Sequence, residues 1–335
     1  MQIYGIDLSM EKFDVNFIDQ NGNEKNKTVK NGINSISNFL KEVPAGSILC
    51  AENTGVYGDL LLFLCNQMGI DIAFIPGYNI KHSLGLVKGK TDKVDAMRIR
   101  EYGERFYDKI VPTQYEDETM RELQELYTLR AQLIRSRKAL QASETGRKHQ
   151  PMQSICAHTS AQSVIDNLNS EIEHVENAIK KLILADQQLK DNYELATSIK
   201  GIGPVIATDL LIKTGNFKTI DTARKAASYA GVCPFPNSSG KMVKKARVSP
   251  FADKKLKSLL YMGAKSAVKY NKEYRLYYQK KKLEGKPHFL IMNNISNKML
   301  RTVYSVVKNE IPYDENYVCL DPRERKINSS KIKVA

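Results

Sequence analysis

Four carboxylates fall at the ends of short apolar runs. Asp7 closes the run Gln2–Asp7, Glu52 follows Ser47–Ala51, and Asp92 and Asp95 lie three residues apart at the start of a helical segment. Residues at i and i+3 share a helix face. Clustered carboxylates repel unless a cation neutralises them, and an all-oxygen set selects Mg²⁺ or Mn²⁺ over zinc. Two such ions about 4 Å apart can hold both the attacking and the leaving oxygen of a phosphodiester. Each acid alone has an ordinary use, Asp7 and Glu52 in turns, Asp92 and Asp95 as first-turn acids that favour the helix dipole. The four together point to a metal site.

Other candidates are less specific. Asn237-Ser-Ser-Gly240 precedes the basic run Lys241–Arg247. A serine hydroxyl needs a base or a metal to become a nucleophile. Ser239 has no histidine within forty residues, and His82, His149, His158, His174 and His288 form no pattern, although sequence distance alone does not exclude a Ser-His-Asp triad. On these residues alone the segment reads as a loop. Ile199–Val205 resembles a helix-hairpin-helix turn, in which Gly201 and Gly203 would let backbone N–H groups approach a phosphate. A plain turn between two helices fits it equally. Cys50, Cys65, Cys156, Cys233 and Cys319 form no CxxC pair, so neither a disulfide framework nor a zinc ribbon is supported.

The acids need elements to hold them. Gln2–Asp7 reads as a strand, Phe13–Ile18 alternates as a second, and Lys25–Lys30 completes a meander. Ile33–Val43 predicts a short helix, Ser47–Ala51 a strand, Tyr57–Met68 a helix, and Asp71–Ile75 a strand closed by Pro76-Gly77. Thr91 can N-cap a helix that runs through Arg105. The order βββαβαβα is that of the ribonuclease H fold, where the first strand and the Ser47–Ala51 strand are neighbours. Asp7 and Glu52 would then stand side by side.

Beyond residue 111 the chain turns helical. Ile165, Leu168, Ile172, Val175, Ile179 and Leu182 are spaced 3, 4, 3, 4, 3, the seam of a coiled coil. An earlier helix carries Met120, Leu123, Tyr127 and Leu133 on one stripe, with Glu144–Pro151 as a polar linker. An antiparallel hairpin and a dimerising coiled coil both fit, and either must pack on a partner. The region that follows reads as mainly helical, with Tyr229–Pro236 as a Pro-rich loop. The expected divisions are 1–110, a helical hairpin or coiled coil at 111–190, 191–315, and a flexible basic tail at 316–335.

The 335 residues carry a net charge of +14. Ser238–Lys308 holds 18 basic and 3 acidic residues, a net of +15, so the rest of the chain nets −1. This block is interleaved with Tyr261, Tyr270, Tyr274, Tyr277 and Tyr278, which favours a nucleic-acid partner over a merely solvated face. With 42% hydrophobic residues, wholesale disorder is excluded. No run approaches the ~18 apolar residues of a membrane helix. Met1–Asp7 has neither a basic n-region nor an apolar h-region, so no secretory signal or membrane association is expected and the cytoplasm is the expected compartment.

Gly5-Ile-Asp7-Leu-Ser-Met-Glu-Lys12, Glu52-Asn-Thr-Gly-Val-Tyr57 and Lys90-Thr-Asp92-Lys-Val-Asp95-Ala96 resemble the DEDD signature of the Piv-like insertion-sequence transposases, the insertion-sequence "one-ten" family of bridge-RNA-guided DNA recombinases. Gly201-Ile-Gly203, Tyr229-Ala-Gly231, Pro234, Ser239-Gly240 and Arg247-Val-Ser249 are similar to that family's C-terminal transposase domain. The resemblance implies an α/β RuvC-like (ribonuclease H fold) N-terminal domain, a helical coiled-coil linker and a mainly α C-terminal domain. It implies Mg²⁺ or Mn²⁺ held by Asp7, Glu52, Asp92 and Asp95. It also implies a serine, Ser239 with Ser238 as the neighbouring choice, that becomes covalently joined to a DNA phosphate.

Lys241, Lys244, Lys245, Arg247, Lys254, Lys255 and Lys257, with Gly201 and Gly203, are the expected nucleic-acid contacts. The implied partners are donor and target DNA, a structured non-coding guide RNA, and further copies of the chain as a dimer of dimers in which metal site and serine act across subunits. Such a protein would be nucleoid-associated. One stretch departs from the family pattern: Ala252-Asp253 stands where Gly-Asn is usual, and Lys257 where Arg is usual. A metal-dependent junction-resolving nuclease of RuvC type, using water, would need the four acids but not Ser239. A coiled-coil nucleic-acid-binding protein without enzymatic activity would need only the basic block.

Overall fold

The computed structural model describes residues 2–83, 85, 91–115, 117–147, 149–152, 154–239 and 242–315, and the chain divides into two compact units after Asp117. In the first unit, β1 (Ile3–Leu8) is buried along nearly its whole length, which suits an apolar run with neighbours on both sides. It pairs antiparallel with β2 (Lys12–Ile18) and parallel with β4 (Ile48–Glu52). β3 (Glu24–Lys30) and β5 (Asp71–Ile75) complete the order β3-β2-β1-β4-β5. The edge strand β3 is mostly exposed and rich in lysine, a composition that discourages pairing with another sheet.

Helix α1 (Ile33–Lys41) buries Ile36, Phe39 and Leu40, and a 3-10 turn at Gly55–Gly58 leads into α2 (Asp59–Gln67). The strand order expected for a ribonuclease H fold is present. A seven-residue helix, α3 (Gly77–Ser83), is additional. Helix α4 (Asp92–Arg105) begins as expected, with the Thr91 hydroxyl accepting from Val94 N at 3.3 Å.

Glycine sets how closely α4 approaches the sheet. A Cβ at Gly5 of β1 would overlap the Ala96 carbonyl oxygen and the Arg100 backbone nitrogen, and one at Gly103 would lie 2.8 Å from both Cys50 Sγ and Ile3 Cγ2. A buried polar network locks the same helix. Arg100 Nε donates to Asn16 Oδ1 at 2.6 Å, and Asn16 Nδ2 donates to Glu24 Oε1 at 2.8 Å and Asn26 Oδ1 at 2.9 Å. Arg100 also pairs with Glu104 at 2.6 Å. A buried guanidinium is tolerable only when its donors find such acceptors.

The second unit opens with α5 (Glu118–Arg147) and α6 (Ile155–Ala185). Arg130–Glu176, Arg137–Asn169 and Glu144–His158 contacts show that the two run antiparallel. The expected seam is closed inside the chain: Val175, Ile179 and Ile183 bury against Leu123 and Tyr127 of α5. Within the chain the hairpin is therefore the observed arrangement. Ile183 is buried and Leu182 only partly so, because an α-helix drifts relative to a strict seven-residue repeat. The expected linker is also shorter, since α5 runs to Arg147. Buried Glu144 takes contacts of 2.6 Å from both Arg147 Nη1 and His158 Nδ1, which satisfies its carboxylate inside the helix.

Helices α7 (Gln187–Thr197), α8 (Pro204–Lys213), α9 (Ala223–Tyr229), α10 (Lys254–Tyr270), α11 (Lys272–Leu283) and α12 (His288–Asn309) share one core around Leu210, Leu260, Ile295 and Met299. A hairpin of β6 (Phe235–Ser239) and β7 (Met242–Arg247) replaces the loop expected there. Ser-Gly is a turn signal, but Pro234 and Pro236 mask the strand ahead of it. A two-stranded ribbon tolerates them because one edge needs no donor. Residues 316–335, expected as a tail, lie outside the described residues, and among the described residues no helix is long and apolar enough to cross a membrane.

Candidate active site

Asp7 lies near the C-terminal end of β1 and Glu52 ends β4, and the parallel register Ile6↔Ala51 sets the two acids on adjacent strands. Asp92 and Asp95 occupy the first turn of α4, whose close packing at Gly5 carries them towards Asp7. The Glu52 carboxylate fills the space over Gly77, where any Cβ would overlap Oε1. The Asp7 carboxyl records the convergence. Burial, then the charges of Asp95, Asp92, Glu52 and Asp14, push its pKa from 3.8 up to about 6.

Three neighbours were not expected. Asp14 faces Asp7 across the antiparallel pair and is buried, accepting from Thr28 Oγ1. Lys12 Nζ stands 3.3 Å from Asp14 Oδ2 and 3.5 Å from Asp92 Oδ2. Lys12 lies inside the first quoted motif, and strand register alone would have paired Asp7 with Asp14. Arg98 Nη1 is 3.9 Å from Asp95.

Among the described residues, no three His, Cys, Asp or Glu side chains converge tightly enough to enclose an ion in this conformation. The donor set still suits a hard divalent cation. It is all oxygen, and a cation would relieve the repulsion among acids that, after burial, raises the proton affinity of Asp7.

The serine candidates belong to the second unit. Ser238 and Ser239 end β6, opposite Val243 and Met242. Ser238 is exposed; Ser239, Lys244 and Lys245 are described by backbone position only, and Gly240 and Lys241 lie outside the described residues. Arg247 and Lys254 are exposed, and Lys257 is half-buried.

Lys255 turns towards the protein, with Nζ 4.0 Å from the Tyr127 ring centroid and 3.7 Å from Asp209 Oδ1. Asp209 is fully buried in α8, and neither oxygen accepts a well-formed hydrogen bond. Burial pushes its carboxyl up, while the adjacent Tyr127 hydroxyl, Lys255 and Lys213 pull the other way. No pattern in the sequence marks this cluster. Asp253, at the departure from the family pattern, N-caps α10 by accepting from Leu256 N at 2.8 Å, a task Asn and Asp perform alike. It also pairs with Lys213 at 2.9 Å.

The two candidate turn glycines differ. Gly201, at φ +105°, meets the Gly263 carbonyl of α10, so a Cβ there would strike the core. Gly203 is the N-cap of α8 and has open space around it. Gly201 thus packs closely on α10, and Gly203 leaves the N-terminus of α8 open.

Residues 4–144 match a DEDD transposase model of the IS110 type, described as "Transposase", and residues 193–279 match the family described as "Transposase IS116/IS110/IS902 family". The first match contains all four acids and the second contains Ser239. The pilin gene-inverting protein of Moraxella bovis is 25% identical over 322 residues, covering 93% of this chain and 97% of that protein. The uncharacterized 44.8 kDa protein of insertion element IS116 from Streptomyces clavuligerus is 24% identical over 143 residues, 39% of this chain and 36% of that protein. The uncharacterized 43.6 kDa protein of IS110 from Streptomyces coelicolor is 23% identical over 154 residues, 45% of this chain and 38% of that protein. With two models of this family together spanning about two thirds of its length, the chain belongs to the IS110/IS116/IS902 family of transposases.

Proposed function

We propose that this transposase cuts and rejoins DNA strands through a covalent phosphoserine at Ser239, with Mg²⁺ or Mn²⁺ held by Asp7, Glu52, Asp92 and Asp95. The observation that carries the reading is the placement of Glu52, Asp92 and Asp95 near Asp7, whose pKa is pushed up to about 6 by burial first and then by their charges and that of Asp14. Bound there, the cation would offset phosphate charge and lower the pKa of an attacking hydroxyl. The chain's own residues do the rest. Ser239 Oγ forms a bond to phosphorus as a DNA ester oxygen leaves with a proton; a second DNA hydroxyl then attacks that phosphorus and returns the serine. Lys241, Lys244, Lys245, Arg247, Lys254 and Lys257 hold the flanking phosphates. The acids and the serine belong to different units and would act on one phosphate across subunits of a dimer of dimers.

A relative that inverts a gene must rejoin what it cuts. A serine ester conserves the phosphodiester's energy between the two steps, whereas hydrolysis discards it. That favours this reading over a water-using junction-resolving nuclease. A structured non-coding guide RNA is proposed to choose the sites by base pairing, and the protein to work at the nucleoid.

The test is trapping. Wild-type protein with element-end DNA and Mg²⁺ should leave a denaturation-resistant protein–DNA adduct; Ser239→Ala should bind the same DNA and leave none, and Ser238→Ala should keep it. Adducts lost only in Ser238→Ala would move the nucleophile by one residue. Adducts in both variants would exclude serine. Sequencing RNA that co-purifies with the full chain tests the guide: a recurrent structured transcript is expected, and random cellular RNA counts against it.

A further inference from the structure

Four aromatic rings meet where the last helices of the second unit come together, and the mechanism proposed above uses none of them. Tyr261 comes from α10, Tyr278 from α11, and His288 and Phe289 open α12. His288 is held from both sides: Tyr261 Oη stands 3.1 Å from Nε2 and Tyr278 Oη 2.9 Å from Nδ1. The ring meets Tyr261 at 90°, Tyr278 at 74° and Phe289 at 68°. Its polar atoms are turned on one another, so what the cluster offers outward is ring surface. Phe289 is 74% exposed and lies within 27° of parallel to Tyr261, with centroids 6.0 Å apart.

A lone exposed phenylalanine is ordinary surface. This one is packed into an ordered array whose elements also carry cations. Lys265 Nζ lies 5.7 Å from the Tyr261 centroid, and Lys280, Lys282 and Lys286 are exposed on α11 and the turn after it. Rings that present a face beside phosphate-seeking charge match an unpaired strand, whose bases stack while its backbone is neutralised. Duplex DNA has no free base face to give.

We propose that Tyr261, Tyr278, His288 and Phe289 form a stacking platform for an unpaired segment of DNA, with Phe289 as the surface on which a base lies. The proposal rests on the reading of the basic block as a DNA-binding surface, and it adds that the DNA there is single-stranded. DNA is favoured over RNA because the transposase joins DNA, and because the cluster's hydroxyls and imidazole are already engaged with one another rather than set out to read a 2′-hydroxyl. Stacking of this kind tolerates any sequence, as suits strands that vary between sites.

The experiment compares full-length wild type, Phe289→Ala, Phe289→Trp and Lys282→Ala/Lys286→Ala by fluorescence anisotropy. The probes are labelled single-stranded DNA, single-stranded RNA of the same sequence, and duplex DNA. Phe289→Ala should weaken single-stranded DNA binding on the order of 5- to 150-fold, with duplex affinity and salt slope unchanged. Phe289→Trp should retain binding, and the lysine variant should weaken every probe and flatten the salt slope. Wild-type affinity in Phe289→Ala, or an equal loss on duplex, overturns the platform while leaving the basic surface standing. A loss confined to RNA overturns the choice of DNA. Failure of the wild type to bind any probe overturns the DNA-binding reading itself.

Discussion

At the scale of single residues, Asp7 carries a signature that can be tested without substrate. Its proton is held up to about pH 6, while the unfolded chain releases it near the ordinary 3.8. Between those values the folded state binds the proton more tightly than the unfolded state does. This group's contribution to stability therefore falls as pH rises through that window, and stays lost above it. The loss is at most about 3 kcal/mol. Asp7→Asn keeps the shape and removes the charge. In EDTA it should melt several degrees above wild type at pH 8, with the gap shrinking at pH 5, and it should carry out no strand exchange in Mg²⁺. A melting difference independent of pH would mean that Asp7 does not feel its neighbours. Wild-type exchange by the variant would remove Asp7 from the metal site.

At the scale of elements, the site depends on how closely α4 lies on β1. Gly5→Ala places a methyl against the backbone of Ala96 and Arg100, and a backbone cannot step aside as a rotamer can. The helix must lift, taking Asp92 and Asp95 with it. A loss of about 1–3 kcal/mol or more in denaturant melts is expected, with exchange falling further than the unfolded fraction explains. A variant unchanged in both would show that α4 has room to spare. Neither this contact nor the Arg100–Asn16 network is visible in sequence, because both join residues more than eighty positions apart whose types carry no pattern. Local features were legible: the strand order, the Thr91 cap and the α6 stripe all follow from periodicity and end chemistry. The β6–β7 hairpin was not, since its prolines argue against a strand. Nor was the inward use of Gly201, where a turn glycine and a packing glycine look alike. The closed seam yields its own prediction. Ile172→Asp should lower the melting temperature of the chain, because it puts a charge between α5 and α6; a fall in oligomer mass with unchanged melting would reopen the intermolecular seam.

At the scale of the whole molecule, charge is segregated along the chain. Ser238–Lys308 carries a net of +15 and the remainder −1, so the DNA-binding energy should reside in one segment. The acids of the first unit repel phosphate unless a cation joins them. Binding and cutting should therefore separate under chelation: with EDTA, DNA affinity should persist while adduct formation stops. If about 6–10 of the basic residues contact phosphate, affinity should fall roughly 10³–10⁵-fold between about 50 and 200 mM salt, through release of counterions. Alanine at Lys254 and Lys257, outside the aromatic platform, should flatten that log–log slope by about 0.9 for each residue that touches a phosphate. A slope unchanged in the double variant would show that α10 points its lysines away from the DNA. An affinity insensitive to salt would mean that the basic segment is only a solvated surface and that the transposase grips its substrate elsewhere.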